Sequence, residues 1–395
     1  MEGPGFRQLG MDRMAGLVYS TGHIHFIEKG QRMDGKIIKV GIAGQGRSGY
    51  DIHARWLRTV PQQFQIVAVA DLLPERRAQA KAEFGCRVYK TYEEMLKAGG
   101  FDLFVNATPS FLHPKAAIKG LQAGYHTVCE KPSAVKLSDF DKMLDAADES
   151  RKILAPFQNS RFQPAFIKIQ EILASGVIGP LVNARLSYSG FARRWDWQTR
   201  QEMWGGNINN TGPHPLDMAV VLFGARPLEV YAKLASGPNS FGDADDFALV
   251  VLHGKNAPTI EVSVSSNLAY PLGDMFNLSG TCGGITGNFK SLKWRHFDPA
   301  KAPKQKLMPS WSDKRAYNSE VLPWVEENWT CEIPDVFQTI SKGFYDCIYN
   351  AIVNKGKLVV THEQVRRQVF VLEECHRQNP LPKLAAKKAA LKKKA

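Results

Sequence analysis

Three glycines spaced G-x-G-x-x-G, Gly44, Gly46 and Gly49, follow the apolar run Lys39-Val40-Gly41-Ile42-Ala43 and precede a stretch, 50–59, able to form a helix. In that strand-turn-helix setting the chemistry is pyrophosphate binding. Gly44 permits the tight turn, Gly46 lets the backbone approach the phosphates, and Gly49 lets helix and strand pack closely. Gln45, Arg47 and Ser48 fill the positions between them, and the free N–H groups at the helix start favour an anion. A second apolar run, 65–70, stops at Asp71, 22 residues after Gly49. A carboxylate at that distance accepts hydrogen bonds from both ribose hydroxyls and repels a 2′-phosphate, which favours NAD. Arg76 and Arg77 keep NADP open, because a guanidinium there pairs with the extra phosphate.

Positioning these groups requires alternating strands and helices, and the chain supplies that pattern from Lys36 to Phe157. Further strands are predicted at 87–89, 102–107, 126–129 and 153–157. Helices are predicted at 74–84, from a Thr91/Glu94 capping box, at 115–123, and from a Ser138 cap to 151. Six strands wound with helices make a Rossmann dinucleotide-binding domain over 36–157. Ligands of such a sheet sit at the carboxyl ends of its strands, which places Ala107, Thr108, Pro109, Glu130 and Lys131 beside the nicotinamide. An amine shielded there, next to a ring that becomes cationic on oxidation, has a lowered pKa and can trade protons with a substrate hydroxyl. His113 either supports this loop or touches the ligand.

Beyond Gln158 the grammar changes. A helix over 164–174 is followed by alternating strands at 181–190, 229–235, 247–253, 259–266 and 276–280, with one helix between them at 215–223. Consecutive strands of this kind predict an α+β domain over 158–380 with a mainly antiparallel open sheet. The overall class is thus α/β plus α+β. One face of an open sheet needs cover, so a homodimer or homotetramer is expected. Two late helices, 334–354 and 361–378, close the structure. The segment 293–328, with Trp294, Trp311 and Trp324, receives no assignment.

Taken in order, Gly44-x-Gly46-x-x-Gly49, Ala107-Thr108-Pro109, Glu130-Lys131-Pro132, Ser160-Arg161-Phe162 and Gly212-x-His214-x-x-Asp217 resemble the Gfo/Idh/MocA oxidoreductase family over roughly 36–378. Glucose–fructose oxidoreductase and inositol dehydrogenase are members. The resemblance implies that Lys131 is the catalytic acid/base, that Pro132 follows a cis peptide, and that His214 is a second catalytic or substrate-orienting residue. Asp217, three residues on, would set the imidazole tautomer. Prolines 213 and 215 leave a second reading of His214 as a helix cap. Many relatives carry aspartate where this chain has Asn210, which can hydrogen-bond but cannot take a proton. Arg161 either faces the substrate or braces the domain junction. The stretch Arg193-Arg194-Trp195-Asp196-Trp197-Gln198 has the composition of a sugar-binding wall, with Trp195 a candidate contact, and equally that of core tryptophans beside a solvated arginine pair.

The expected activity is NAD-dependent oxidation or reduction of a secondary alcohol on a sugar, glycoside or polyol. Two rivals stay in view: glycoside cleavage through a transient keto-sugar with tightly held NAD, and a nucleotide-sensing regulator without catalysis. Net charge is +13, but Lys383, Lys387, Lys388, Lys392, Lys393 and Lys394 lie in an Ala/Lys tail over 381–395, so nucleic-acid binding is not expected. Residues 1–35 read as a flexible extension without a secretory pattern. No apolar run suits a membrane span. Six scattered cysteines without metal spacing suggest reduced thiols, no metal site and a cytoplasmic setting.

Overall fold

The computed structural model describes residues 35–237, 239–270, 273–308 and 319–384. The expectations for the N-terminal extension, for the lysine tail beyond residue 384 and for Trp311 fall outside them.

Six strands form the first sheet: β1 (Ile38–Ala43), β2 (Phe64–Ala70), β3 (Arg87–Tyr89), β4 (Leu103–Asn106), β5 (His126–Cys129) and β6 (Leu154–Pro156). They are all parallel and lie in the order β3-β2-β1-β4-β5-β6. The order reverses between β1 and β4, and a crevice opens there at the carboxyl ends. These strands are nearly continuous apolar runs because helices cover both faces. The helix after the glycine turn begins at Arg47 and is wound in π fashion to Ala54 before its α-helical end at Arg55–Leu57. Thr91 and Glu94 make the expected capping box. Ser138 does not cap the next helix, which runs Leu137–Ser150. Its first N–H, on Leu137, is met instead by Glu373 at 3.0 Å, a partner 236 residues away that no local pattern reveals.

The second sheet has eight strands: β7 (Leu181–Ser187), β8 (Glu229–Ala235), β9 (Phe247–His253), β10 (Thr259–Ser265), β11 (Phe276–Gly280), β12 (Gly283–Gly287), β13 (Ser291–His296) and β14 (Val325–Thr330). Its order is β14-β13-β12-β11-β7-β10-β9-β8, antiparallel throughout except for the β7–β10 pair. Strands β9 and β10 alternate buried and half-buried residues, as a sheet with helices on one face requires. The segment without a sequence assignment supplies β13 and β14. Helices Pro164–Ser175, Pro213–Phe223 and His362–Gln378 contribute to the core beneath this sheet.

Between the sheets lies a polar junction. Arg161, in the turn Asn159–Phe162 that follows β6, grips Asp217 on helix Pro213–Phe223 with two hydrogen bonds of 2.7 and 2.8 Å. Both side chains are almost wholly buried. Arg161 also reaches Gln364 at 2.8 Å, while Gln158 bonds Gln368, which in turn donates to the Pro213 carbonyl. Removing one partner of such a pair strands the other charge without solvent. Asp217→Ala is therefore expected to lower unfolding stability by about 3–5 kcal/mol, read as a fall in the urea midpoint.

Candidate active site

At the crevice, the first residues after β1, β2, β4 and β5 enclose a cavity of about 600 Å3. The glycine turn forms its floor. Gly44 has φ +91°, and a Cβ on it would sit 2.3 Å from the Ala107 carbonyl oxygen. A Cβ on Gly49 would fall 1.7 Å from the Gly44 oxygen, so helix and strand meet there only because both residues are glycine. Over Gly46 the situation is reversed: a Cβ would meet nothing nearer than Arg76 at 3.7 Å. That leaves bare backbone facing the cavity at the start of a helix, which is what a pyrophosphate needs.

Asp71 ends the β2 segment at the lip of the cavity. Its carboxylate accepts the Gln45 N–H at 2.7 Å and the Leu73 N–H at 2.9 Å, which fixes its plane. Arg76 lies 3.6 Å from it and lines the cavity. Arg77 instead donates to the carbonyls of Asp71 and Leu72. Of the two arginines that keep a 2′-phosphate in play, only Arg76 is placed to meet one. The bare turn, the fixed acid and the volume together fit a dinucleotide. Gly44, Gly46, Arg47, Ser48, Asp71, Ala107, Thr108, Pro109, His113 and Glu130 are the residues that would border it. Gln45 and Gly49 work from behind, the first through its backbone N–H and the second through packing.

The loops after β4 and β5 are tied together. Thr108 donates to the Asn106 side chain at 2.7 Å, and Asn106 donates to the His113 carbonyl at 2.9 Å. The ring nitrogens of His113 lie 2.8 Å from the Pro132 and Thr108 carbonyl oxygens. His113 is buried and braces both loops, and it also borders the cavity. Asn106, a polar residue closing an apolar strand, was the signal that sequence reasoning passed over.

Lys131 stands at the cavity wall, preceding the cis peptide to Pro132. Its Nζ donates to the Asn210 carbonyl oxygen at 2.6 Å across the crevice. Burial lowers its pKa, Glu130 works against that, and Arg47 and Arg194 push it lower. Burial alone would raise the Glu130 carboxyl, yet the His53 hydrogen bond and the charges of His53, Lys131 and His113 bring it down to about 2. His214 lies close enough for the Lys131 charge to add to burial in lowering its pKa to about 3.

Several expectations need correction. Asp217 does not set the His214 tautomer, because both of its oxygens belong to Arg161; His214 Nδ1 pairs with Ser160 Oγ at 2.7 Å instead. Arg161, Asp217 and His214 do not border the cavity, and the Arg161–Asp217 pairing is the bracing role left open for Arg161. Trp195 is 78% exposed and packs edge-on to Phe241, away from the cavity. Its neighbours Asp196, Trp197 and Gln198 form the opposite wall with Asn210. Among the described residues, no group of three or more His, Cys, Asp or Glu side chains is arranged to hold a metal, and no helix is long and apolar enough to cross a membrane. All six cysteines are free thiols.

Residues 38–157 match the oxidoreductase family with an NAD-binding Rossmann fold, and residues 166–286 match the GFO/IDH/MocA C-terminal domain. An uncharacterized oxidoreductase of Schizosaccharomyces pombe is 29% identical over 370 residues, spanning 86% of this chain and 96% of the relative. The scyllo-inositol 2-dehydrogenase (NADP(+)) of Bacillus subtilis is 28% identical over 221 residues, 55% of this chain and 60% of that enzyme. An NAD-binding protein of Listeria innocua shares the fold with a TM-score of 0.70 at 23% identity, over 88% of this chain and 97% of that one. The glycine turn, the fixed acid and the two-sheet architecture agree with these matches: the chain belongs to the GFO/IDH/MocA family and is an NAD(P)-dependent oxidoreductase.

Proposed function

We propose that this enzyme interconverts a secondary alcohol and a ketone on a sugar, glycoside or polyol, with Lys131 moving the hydroxyl proton. The observation that carries the reading is a half-buried amine at the cavity wall, held by the Asn210 carbonyl and disfavoured as a cation by burial. An uncharged lysine accepts a hydroxyl proton, and a charged one returns it. The nicotinamide supplies the redox partner. Asn210 contributes its carbonyl as an orienting acceptor for the amine, so its side chain need not titrate. His214, kept neutral by burial and held by Ser160, stands behind the cavity lining near Lys131, where it supports the surroundings of the amine. Inositol dehydrogenases among the relatives favour a polyhydroxylated ring as substrate. Asp71 favours NAD, and Arg76 beside it allows NADP.

The face of the second sheet turned from its helices carries Tyr231, Leu249 and Val251 as neighbours across β8 and β9. We read it as the contact for a second copy. Sedimentation is expected to give a dimer or tetramer, and Tyr231→Glu to favour the monomer.

The direct test is a screen of inositols, sugars, polyols and glycosides for NADH or NADPH formation by the full chain. Lys131→Met is expected to lower kcat about 10²–10⁴-fold while cofactor titration by fluorescence is retained. A screen without turnover, or a Lys131→Met enzyme as fast as the parent, overturns the reading. His214 gives a pH test. Its pKa is about 3 in the folded chain against an ordinary 6.5, so between these values the unfolded chain binds a proton that the folded one refuses. Stability is therefore lost as pH falls through that window, and His214→Gln is expected to flatten this dependence in denaturant titrations at pH 7 and 5.

A further inference from the structure

Behind the lysine, a line of buried polar groups joins three distant stretches of chain. Tyr345 Oη lies 2.7 Å from His53 Nδ1, and His53 Nε2 lies 3.2 Å from Glu130 Oε1. The other Glu130 oxygen accepts the Lys131 backbone N–H at 3.0 Å. His53 comes from the helix that starts at the glycine turn, and Tyr345 from helix Val336–Val353. Their exposures are 0% and 1%, with Glu130 at 4%. The surroundings are aromatic: Phe157 packs on His53, and Phe64 and Phe344 on Tyr345. Polar groups in such a place cost stability unless each has a partner.

The chemistry of the carboxylate fixes its end of the line. An ionised carboxylate only accepts, so His53 Nε2 carries a proton. At Nδ1 the ring shares a hydrogen bond with the Tyr345 hydroxyl, so Tyr345 holds the ring in the orientation from which Nε2 donates to Glu130. Glu130 in turn acts on Lys131 against the like charges of Arg47, from the turn, and Arg194, from the opposite lobe. His113 and His214 also feel this carboxylate, from the loop after β4 and from helix Pro213–Phe223.

We propose that His53 and Tyr345 are positioning residues that keep the Glu130 carboxylate ionised and aimed behind Lys131, so that its charge decides when the Lys131 amine carries a proton. The inference rests on the proton-transfer role given to Lys131 above. It adds a connection: the helix whose first residues border the dinucleotide site also holds the carboxylate whose charge favours the charged form of the lysine.

The experiment is competitive acetylation of the full chain with acetic anhydride across pH, with the Lys131 peptide quantified by mass spectrometry. It needs no substrate, so a failed substrate screen leaves it intact. Glu130→Gln and His53→Phe are expected to lower the Lys131 titration midpoint by about one pH unit, because the negative charge is lost or neutralised. Tyr345→Phe removes one hydroxyl without changing shape and is expected to lower it by roughly a few tenths of a unit. His53→Gln keeps an amide donor toward Glu130 and is expected to restore the parental midpoint. A midpoint unmoved in both Tyr345→Phe and His53→Phe overturns the proposal, whatever Glu130→Gln does. So does a shift in His53→Gln as large as in His53→Phe. Should His53→Phe fail to fold, Tyr345→Phe and His53→Gln decide alone.

Discussion

An amine and a carboxylate on consecutive residues, Lys131 and Glu130, are drawn out of water at the end of one strand, and the rest of the molecule is built around tolerating them. Neither charge could persist there alone, since burial opposes both. The carboxylate survives because donors reach it from the glycine-turn helix and from its own backbone neighbour. The amine is held because the second lobe brings a backbone carbonyl across the crevice. Two lobes and a strand end must be in register for this arrangement to exist. The crevice where the sheet order reverses is the place where open backbone, loops and a facing lobe meet.

Much of this was legible in the chain. Gly44, Gly46 and Gly49 declare themselves because glycine spacing encodes backbone approach, and the structure shows the clash that any side chain at Gly44 or Gly49 would cause. Strands β1, β2 and β4 announced themselves as apolar runs of the right length, and β9 and β10 as alternation. Thr91 with Glu94 was readable because a capping box is local, its partners three residues apart.

What escaped depends on contacts between residues far apart in sequence. The wrong partner for His214 followed from helical spacing: Asp217 is one step away on the helix, but Arg161, 56 residues distant, claims it. The wrong tryptophan followed from composition, which cannot say that Trp195 turns outward while Trp197 turns in. Strand β14 is rich in charge and almost wholly exposed at the edge of the sheet, so no apolar rhythm marks it, while β13 alternates buried Leu292 and Trp294 with exposed Lys293 and Arg295 over a span too short to stand out. His53 and Tyr345 are 292 residues apart in the chain, and nothing local to either signals that the fold places them 2.7 Å from each other.

The helix Val336–Val353 follows the entire second sheet in the chain, yet Ile340, Phe344, Tyr345, Ile348 and Tyr349 fill the core of the first. The nucleotide-binding lobe is therefore not a self-sufficient module. On the ribosome it must wait, with Phe64 and Phe157 uncovered, until the second sheet and helix Val336–Val353 have emerged. Cutting the chain after β6 to graft this lobe elsewhere would deliver a half-open interior, prone to aggregate. A swap between relatives has to carry the first sheet and helix Val336–Val353 together.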